Sequence, residues 1–217
     1  MTNLTLVIGN KNYSSWSLRP WLAMKQAKLD FEEVLIPLYV SGFHEKILHY
    51  SPAGKVPILI ADGLTIWESL SICEYLAERF PEAQLWPTDL TARAIARCVS
   101  AEMHAGFANL RNHMGMNVRA QKPGQGRAPG VQEDIDRILA LWTDCRQRFG
   151  QGGEFLFGQF SIADAMFAPV ALRFLTYGVQ VDANASAYIE ALLALPTLQE
   201  WLEASRVEPY TIAQYEV

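Results

Sequence analysis

Three short segments in the first third of the chain carry side chains suited to holding a small anionic thiol or peptide. They are Tyr13-Ser14-Ser15-Trp16-Ser17-Leu18-Arg19-Pro20, Gly54-Lys55-Val56-Pro57 and Glu68-Ser69. Ser14 and Ser15 offer hydroxyl donors between a strand and a helix. A hydrogen bond to a thiolate favours its charged form and lowers the thiol pKa. Tyr13 offers a phenol that could do the same. Ser17 reads as the cap of the helix that follows. No GxSxG elbow surrounds these serines, and no neighbouring histidine or acid would activate one as a nucleophile, so donation is favoured over covalent catalysis. Val56, just before Pro57, could present its peptide N–H and C=O to an extended ligand, the more so if the bond is cis. Lys55 could meet a ligand carboxylate. Glu68 could accept from an ammonium group, while Ser69 and the free N–H groups of a helix start suit a carboxylate. Each residue also has a plainer reading: serine and glutamate as caps, lysine as a surface charge, Arg19 as an ion pair at the surface or between domains.

These segments need a framework that brings them to one end of a sheet. Leu4 to Gly9 is a short apolar run read as a buried strand. Leu18 to Lys28 has helical character, and Pro20 is tolerable in a first turn, which places the helix start near Ser17. Phe31 to Pro37 reads as a second strand. Val56 to Ala61 and Leu64 to Trp67 flank Asp62-Gly63, a hairpin signal. Ser69 to Arg79 reads as a helix. The order is strand, helix, strand, helix, strand, strand, helix: a parallel βαβ unit followed by an antiparallel hairpin covered by a helix.

Beyond Pro81 the pattern becomes helical throughout. Thr91 to about Met114 reads as one long helix, Gln121 to Gly130 as a loop, and Val131 to Phe149 as an amphipathic helix ended by glycines. Further helices are expected at roughly 162–176, 185–194 and 197–205. Ser161 and Asp164 form a start signal for the first of these, and Thr197 and Glu200 a reciprocal box for the last. The reading is therefore an α/β domain at 1–82 and an all-helical domain at 88–217. On the long helix, His104, Phe107, Arg111 and Met114 recur at three- and four-residue spacing. Phe107 and Met114 suit the core. His104 and Arg111 suit either an interdomain network or a site for an acidic second substrate, and Glu102 could face a partner subunit.

Composition narrows the classes. The chain has 217 residues, half of them apolar, and a formal net charge of -5. That balance argues against a nucleic-acid partner, which needs a basic surface. No apolar run reaches membrane-spanning length and no signal peptide is evident. The three cysteines, Cys73, Cys98 and Cys145, are widely spaced and read as buried residues in a reducing compartment; no metal site is expected.

In order and spacing these motifs resemble those of the cytosolic glutathione transferases. Tyr13 through Pro20 is similar to the Ser-Ser-x-Ser-x-Arg segment of the zeta-like, serine-type classes. Pro52 through Leu59 resembles the family's cis-proline strand. Ile66 through Leu76 resembles the segment that binds the γ-glutamyl group, and Phe160 through Asp164 the helical domain's capping motif. The resemblance implies a thioredoxin-like domain followed by a helical domain in a cytoplasmic homodimer, with glutathione as co-substrate and a small electrophile as second substrate. It implies Ser14 beside the thiolate with Ser15 as its rival, Val56 on the cysteinyl unit, Glu68 and Ser69 on the γ-glutamyl end, and Lys55 toward the glycyl end. His104 and Arg111 remain candidates for the electrophile site. The activity implied is transfer of the glutathione thiolate; a maleylacetoacetate-type cis-trans isomerase and a non-enzymatic glutathione-binding module are the alternatives. Trp16 stands where zeta relatives often carry a smaller cysteine.

Overall fold

The computed structural model describes residues 3–216. Strand β1 (Leu4–Ile8) is the apolar run Leu-Thr-Leu-Val-Ile, and it lies inside a four-stranded sheet of order β2-β1-β3-β4. A strand covered on both faces reads as continuously apolar rather than alternating. Helix α1 (Ser15–Gln26) carries the chain over to β2 (Glu32–Leu35), which pairs parallel to β1. Strands β3 (Ile58–Ala61) and β4 (Leu64–Trp67) form an antiparallel hairpin, and β3 also pairs antiparallel with β1. The hairpin turns through Asp62 (φ 48°) and Gly63 (φ 86°), the left-handed pair that a two-residue turn requires. Helix α2 (Phe43–Tyr50) brings Ile47 against Val7, Ile36 and Ile58 in a small second core. Helix α3 (Ser69–Arg79) follows β4 directly. This is the expected thioredoxin-like arrangement.

The helical part comprises α4 (Leu90–Ala105), α5 (Ala108–His113), α6 (Val131–Phe149), α7 (Ile162–Tyr177), α8 (Ala183–Leu193) and α9 (Pro196–Val207). The single helix expected from Thr91 to Met114 is in fact two. Gly106 is extended and Phe107 is left-handed (φ 56°), which ends one helix and starts the next. Tertiary contacts decide the break: Phe107 turns into the core, and Asp134 of α6 accepts from Leu110 N at 2.9 Å near the new helix start. Met114 is buried as expected. Glu102 holds Arg137 through two hydrogen bonds, at 2.7 and 2.9 Å.

Helix α7 is the axis of this part, with nearly every residue buried. Its start is fixed by Asp164, whose carboxylate accepts from Ser161 N (2.8 Å), Ser161 Oγ (3.0 Å), Leu156 N (3.1 Å) and the Tyr188 hydroxyl (3.0 Å). The box expected at Thr197 and Glu200 does not cap α9, which begins at Pro196. Thr197 Oγ1 instead accepts from Gln26 at 2.6 Å, and Glu200 pairs with Lys25 at 2.7 Å, so both residues tie α9 to α1. Trp21 of α1 meets Trp201 of α9 edge-on at 5.1 Å, and one apolar core runs through both parts. Of the cysteines, Cys73 and Cys145 are buried, whereas Cys98 is exposed on α4. Among the described residues, no helix is long and apolar enough to cross a membrane.

Candidate active site

The serine loop joins β1 to α1, and its two serines end up in different roles. Ser14 is the N-cap: its backbone is non-helical (φ −84°, ψ 84°) and its oxygen accepts from Ser17 N at 3.4 Å. Ser17, expected to cap, is the third residue of the helix, fully buried, with its hydroxyl accepting from Gly9 N at 3.0 Å and from Ser14 Oγ at 2.8 Å. The earlier start leaves Pro20 inside α1 rather than in its first turn. Ser15 is the first helical residue, and its oxygen accepts from Arg173 Nη2 at 3.1 Å. The Tyr13 hydroxyl donates to Glu216 and accepts from Arg119 Nη2 at 3.0 Å, so it is already engaged.

Trp16, the next residue, organises the surrounding cations. The Arg19 guanidinium lies 4.1 Å from the Trp16 ring centroid and that of Arg111 lies 5.5 Å away, both within cation–π range. The His104 ring meets the indole at 5.3 Å and 67°. Arg19 makes no surface ion pair. It is fully buried, donates Nε to Met166 O of α7 at 3.2 Å, and has no hydrogen-bond partner for either terminal nitrogen. Arg173 is also buried, donates Nε to Met114 O at 2.8 Å, and has Nη1 unpartnered. Burial, and then the repulsion of Arg173 and Arg111, lowers the Arg19 pKa to about 9. Burial, and then Arg111, lowers that of Arg173 to about 10. Both remain cationic at neutral pH, so a strong positive field stands at the N-terminus of α1.

The other two segments converge on the same place. The Val56–Pro57 bond is cis. The sheet register begins at Ile58, opposite Val7 and Trp67, so the Val56 peptide lies just outside the ladder. Glu68 caps α3 by accepting from Leu70 N at 3.1 Å, and its carboxylate lies 2.6 Å from His104 Nε2. It does so at φ 79°, a conformation costing a non-glycine residue about 1–3 kcal/mol and characteristic of functional sites. Ser69, the first residue of α3, is fully buried, and its hydroxyl has no hydrogen-bond partner.

Two adjoining clefts result. One, of about 600 Å³, is lined by Trp16, Lys55, Val56, Trp67, Glu68, His104 and Arg111 among others. The second, of about 370 Å³, is lined by Ser14, Ser15, Met116, Arg173 and Tyr215 among others, and it shares Trp16, Lys55, Val56 and Arg111 with the first. His104 therefore stands on the Glu68 side, Arg111 at the seam, and Ser14 on the second side. Sequence reasoning missed Arg173 and Tyr215. Arg173 did leave a signal: it is the one basic residue in the largely apolar stretch Ile162–Tyr177. Tyr215 left none, because only the path of the chain end brings it here.

A thioredoxin-like sheet with a hydroxyl-bearing helix start, joined to a helical part across a split cleft, defines a two-part protein with a ligand-sized site where its parts meet. The model described as "Glutathione S-transferase, N-terminal domain" matches residues 13–79, and that described as "Glutathione S-transferase, C-terminal domain" matches 117–204. A maleylacetoacetate isomerase of Rattus norvegicus is 32% identical over 191 residues, covering 85% of this chain and 85% of that protein. A probable maleylacetoacetate isomerase of Caenorhabditis elegans is 33% identical over 138 residues, 63% of this chain and 64% of that protein. A solved glutathione transferase homologue from Burkholderia, described with bound glutathione, superposes with a TM-score of 0.74 at 25% identity, over 95% of this chain and 100% of that one. The chain belongs to the glutathione S-transferase family.

Proposed function

We propose that this protein is a glutathione transferase that brings the glutathione thiolate to a small electrophile, with residues 1–82 holding glutathione and 88–217 supplying most of the electrophile cleft. Glutathione supplies the nucleophilic sulfur, so the protein needs no nucleophile of its own. The residues fit that ligand. The buried, unpartnered Ser69 hydroxyl lies at the start of α3, where a carboxylate is favoured by the helix dipole. Glu68 suits the ammonium beside it, the Val56 peptide suits the cysteinyl backbone, and exposed Lys55 suits the glycyl carboxylate.

The observation that carries the reading is Ser14. Its hydroxyl caps α1 and lines the second cleft beside the seam, within the field of the Arg173, Arg111 and Arg19 group. A free thiol has a pKa of about 8.5. Moving it about two units, to ionise it at neutral pH, requires about 3 kcal/mol in favour of the thiolate. A donated hydrogen bond to a charged acceptor supplies about 1.5–3 kcal/mol, and the buried cations add to it. Ser15 is the rival donor: its oxygen accepts from Arg173, which leaves its O–H proton to give, whereas the Ser14 O–H, donated to Ser17 Oγ at 2.8 Å, must turn toward the sulfur when glutathione binds.

A second reading, zeta-like glutathione-dependent cis-trans isomerisation, is favoured by the rat relative and by Arg111 and Arg173 lining the second cleft, where they would hold a substrate carboxylate. A cytoplasmic homodimer is the assembly we propose. Steady-state assays with glutathione and a panel of neutral and carboxylate-bearing electrophiles test both readings. Turnover of aryl halides or epoxides supports transfer, cis-trans conversion without net glutathione consumption supports isomerisation, and binding without turnover contradicts both.

A further inference from the structure

The second cleft is closed on one side by the end of the chain itself. After α9 the backbone leaves the helical part and returns across the serine loop. Glu208 is buried, and its carboxylate accepts from Asn10 Nδ2 at 2.7 Å and Lys11 N at 2.6 Å. Arg119 donates to Glu208 O at 2.7 Å and to Tyr210 O at 2.9 Å. Tyr215 O accepts from Asn117 Nδ2 at 3.1 Å and Lys122 Nζ at 3.0 Å. Both parts of the molecule thus fix the path of the tail.

Those anchors set two side chains. Ile212 is buried, and the Tyr215 ring stacks on Tyr13 with centroids 5.8 Å apart at 26° while meeting Tyr39 edge-on at 6.4 Å. Gly115 lies against this ring: a Cβ there would stand 3.1 Å from Tyr215 Cδ1. Tyr215 and Ile212 line the second cleft together with Ser15, Met116 and Arg173. Ordering a chain segment costs backbone entropy that its contacts must offset. A tail held by this many polar contacts, from buried Asn10, Lys11, Asn117 and Lys122 and from exposed Arg119, is part of the built site.

We propose that Tyr215, backed by Ile212, is a specificity-determining wall that limits the bulk of the group carried on, or arriving at, the glutathione sulfur. This rests on the functional reading above. The cleft, at about 370 Å³, lies near the small end of the ~300–1,000 Å³ range of ligand sites. An aromatic side chain presents about 150–250 Å² of surface, so its removal enlarges such a cleft substantially.

Calorimetric titration of the full-length protein with glutathione and its S-methyl, S-hexyl and S-benzyl derivatives tests the inference. We expect Tyr215→Ala to leave glutathione affinity within about twofold while improving S-hexyl relative to S-methyl affinity by about tenfold, and Ile212→Ala to act in the same direction. Tyr215→Phe, which keeps the ring, should retain the wild-type ratio. If wild type binds glutathione but the S-hexyl to S-methyl ratio is the same in wild type, Tyr215→Ala and Ile212→Ala, the wall is overturned and the functional reading stands. If wild type binds no glutathione, the functional reading falls and takes the wall with it.

Discussion

Arg173 Nη2 donates to Ser15 Oγ at 3.1 Å, linking α7 to the first residue of α1. The adjacent serines hold different partners at the same cleft: Ser15 accepts from a buried cation, and Ser14 caps α1 and donates to Ser17 Oγ at 2.8 Å. Ser15→Ala removes an acceptor from a guanidinium that already has one nitrogen unpartnered. We expect a loss of about 1–3 kcal/mol of stability, read by urea denaturation, because a buried charged donor is left short of a partner. The pKa of bound thiol should move less than in the corresponding Ser14 variant.

Ser69→Ala should act on binding alone. Its hydroxyl is buried and makes no hydrogen bond within the protein, so the fold loses little. A hydrogen bond to a carboxylate contributes about 1.5–3 kcal/mol, so the glutathione Kd should rise about tenfold or more. kcat at saturating glutathione should stay within about twofold, the pattern of lost uniform binding. A drop in kcat with unchanged affinity would contradict this placement.

Asp164 gives a pH dependence of stability. Burial raises its carboxyl to about 6, against the lowering effect of its hydrogen bonds to Leu156, Ser161 and Tyr188. A folded-state pKa above the unfolded value means that the folded chain binds the proton more tightly. The stabilising contribution is thus fully present below about pH 4 and is lost as pH rises through about 6. The difference between the folded and unfolded carboxyl corresponds to roughly 3 kcal/mol between those limits. Wild type should gain stability relative to Asp164→Asn on going from pH 7 to pH 4, measured by denaturation at each pH. A flat difference would contradict the assignment.

Trp201 tests the continuity of the core between the two parts. It is fully buried, meets Trp21 edge-on and donates its indole N–H to Lys11 O at 2.9 Å. Trp201→Ala should cost about 3–5 kcal/mol and lower the whole unfolding transition, rather than release one part ahead of the other. Two separated transitions would show the parts to be energetically independent.

The strands, the Asp62-Gly63 turn and the start of α3 at Glu68-Ser69 were legible because each follows from local pattern: an apolar run, a turn dipeptide, a cap. The errors lay where distant residues overrule local pattern. Helical periodicity ran through Gly106 and Phe107, yet the burial of Phe107 and the carboxylate of Asp134 break the helix there. Ser17 had the composition of a cap, yet Gly9 claims its hydroxyl. Thr197 and Glu200 fit a box, yet Gln26 and Lys25 hold them. Arg173 was visible only as an odd cation in an apolar helix, and Tyr215 depends wholly on where the tail returns.

The central claim is that the Ser14 hydroxyl donates to the bound thiolate. Ultraviolet titration of thiolate absorbance in the glutathione complex, wild type against Ser14→Ala, measures it directly. We predict a bound-thiol pKa at least about one unit higher in the variant, with glutathione affinity changed only modestly, because one pKa unit corresponds to about 1.4 kcal/mol. Superimposable titration curves would contradict the account and move the thiolate to another donor.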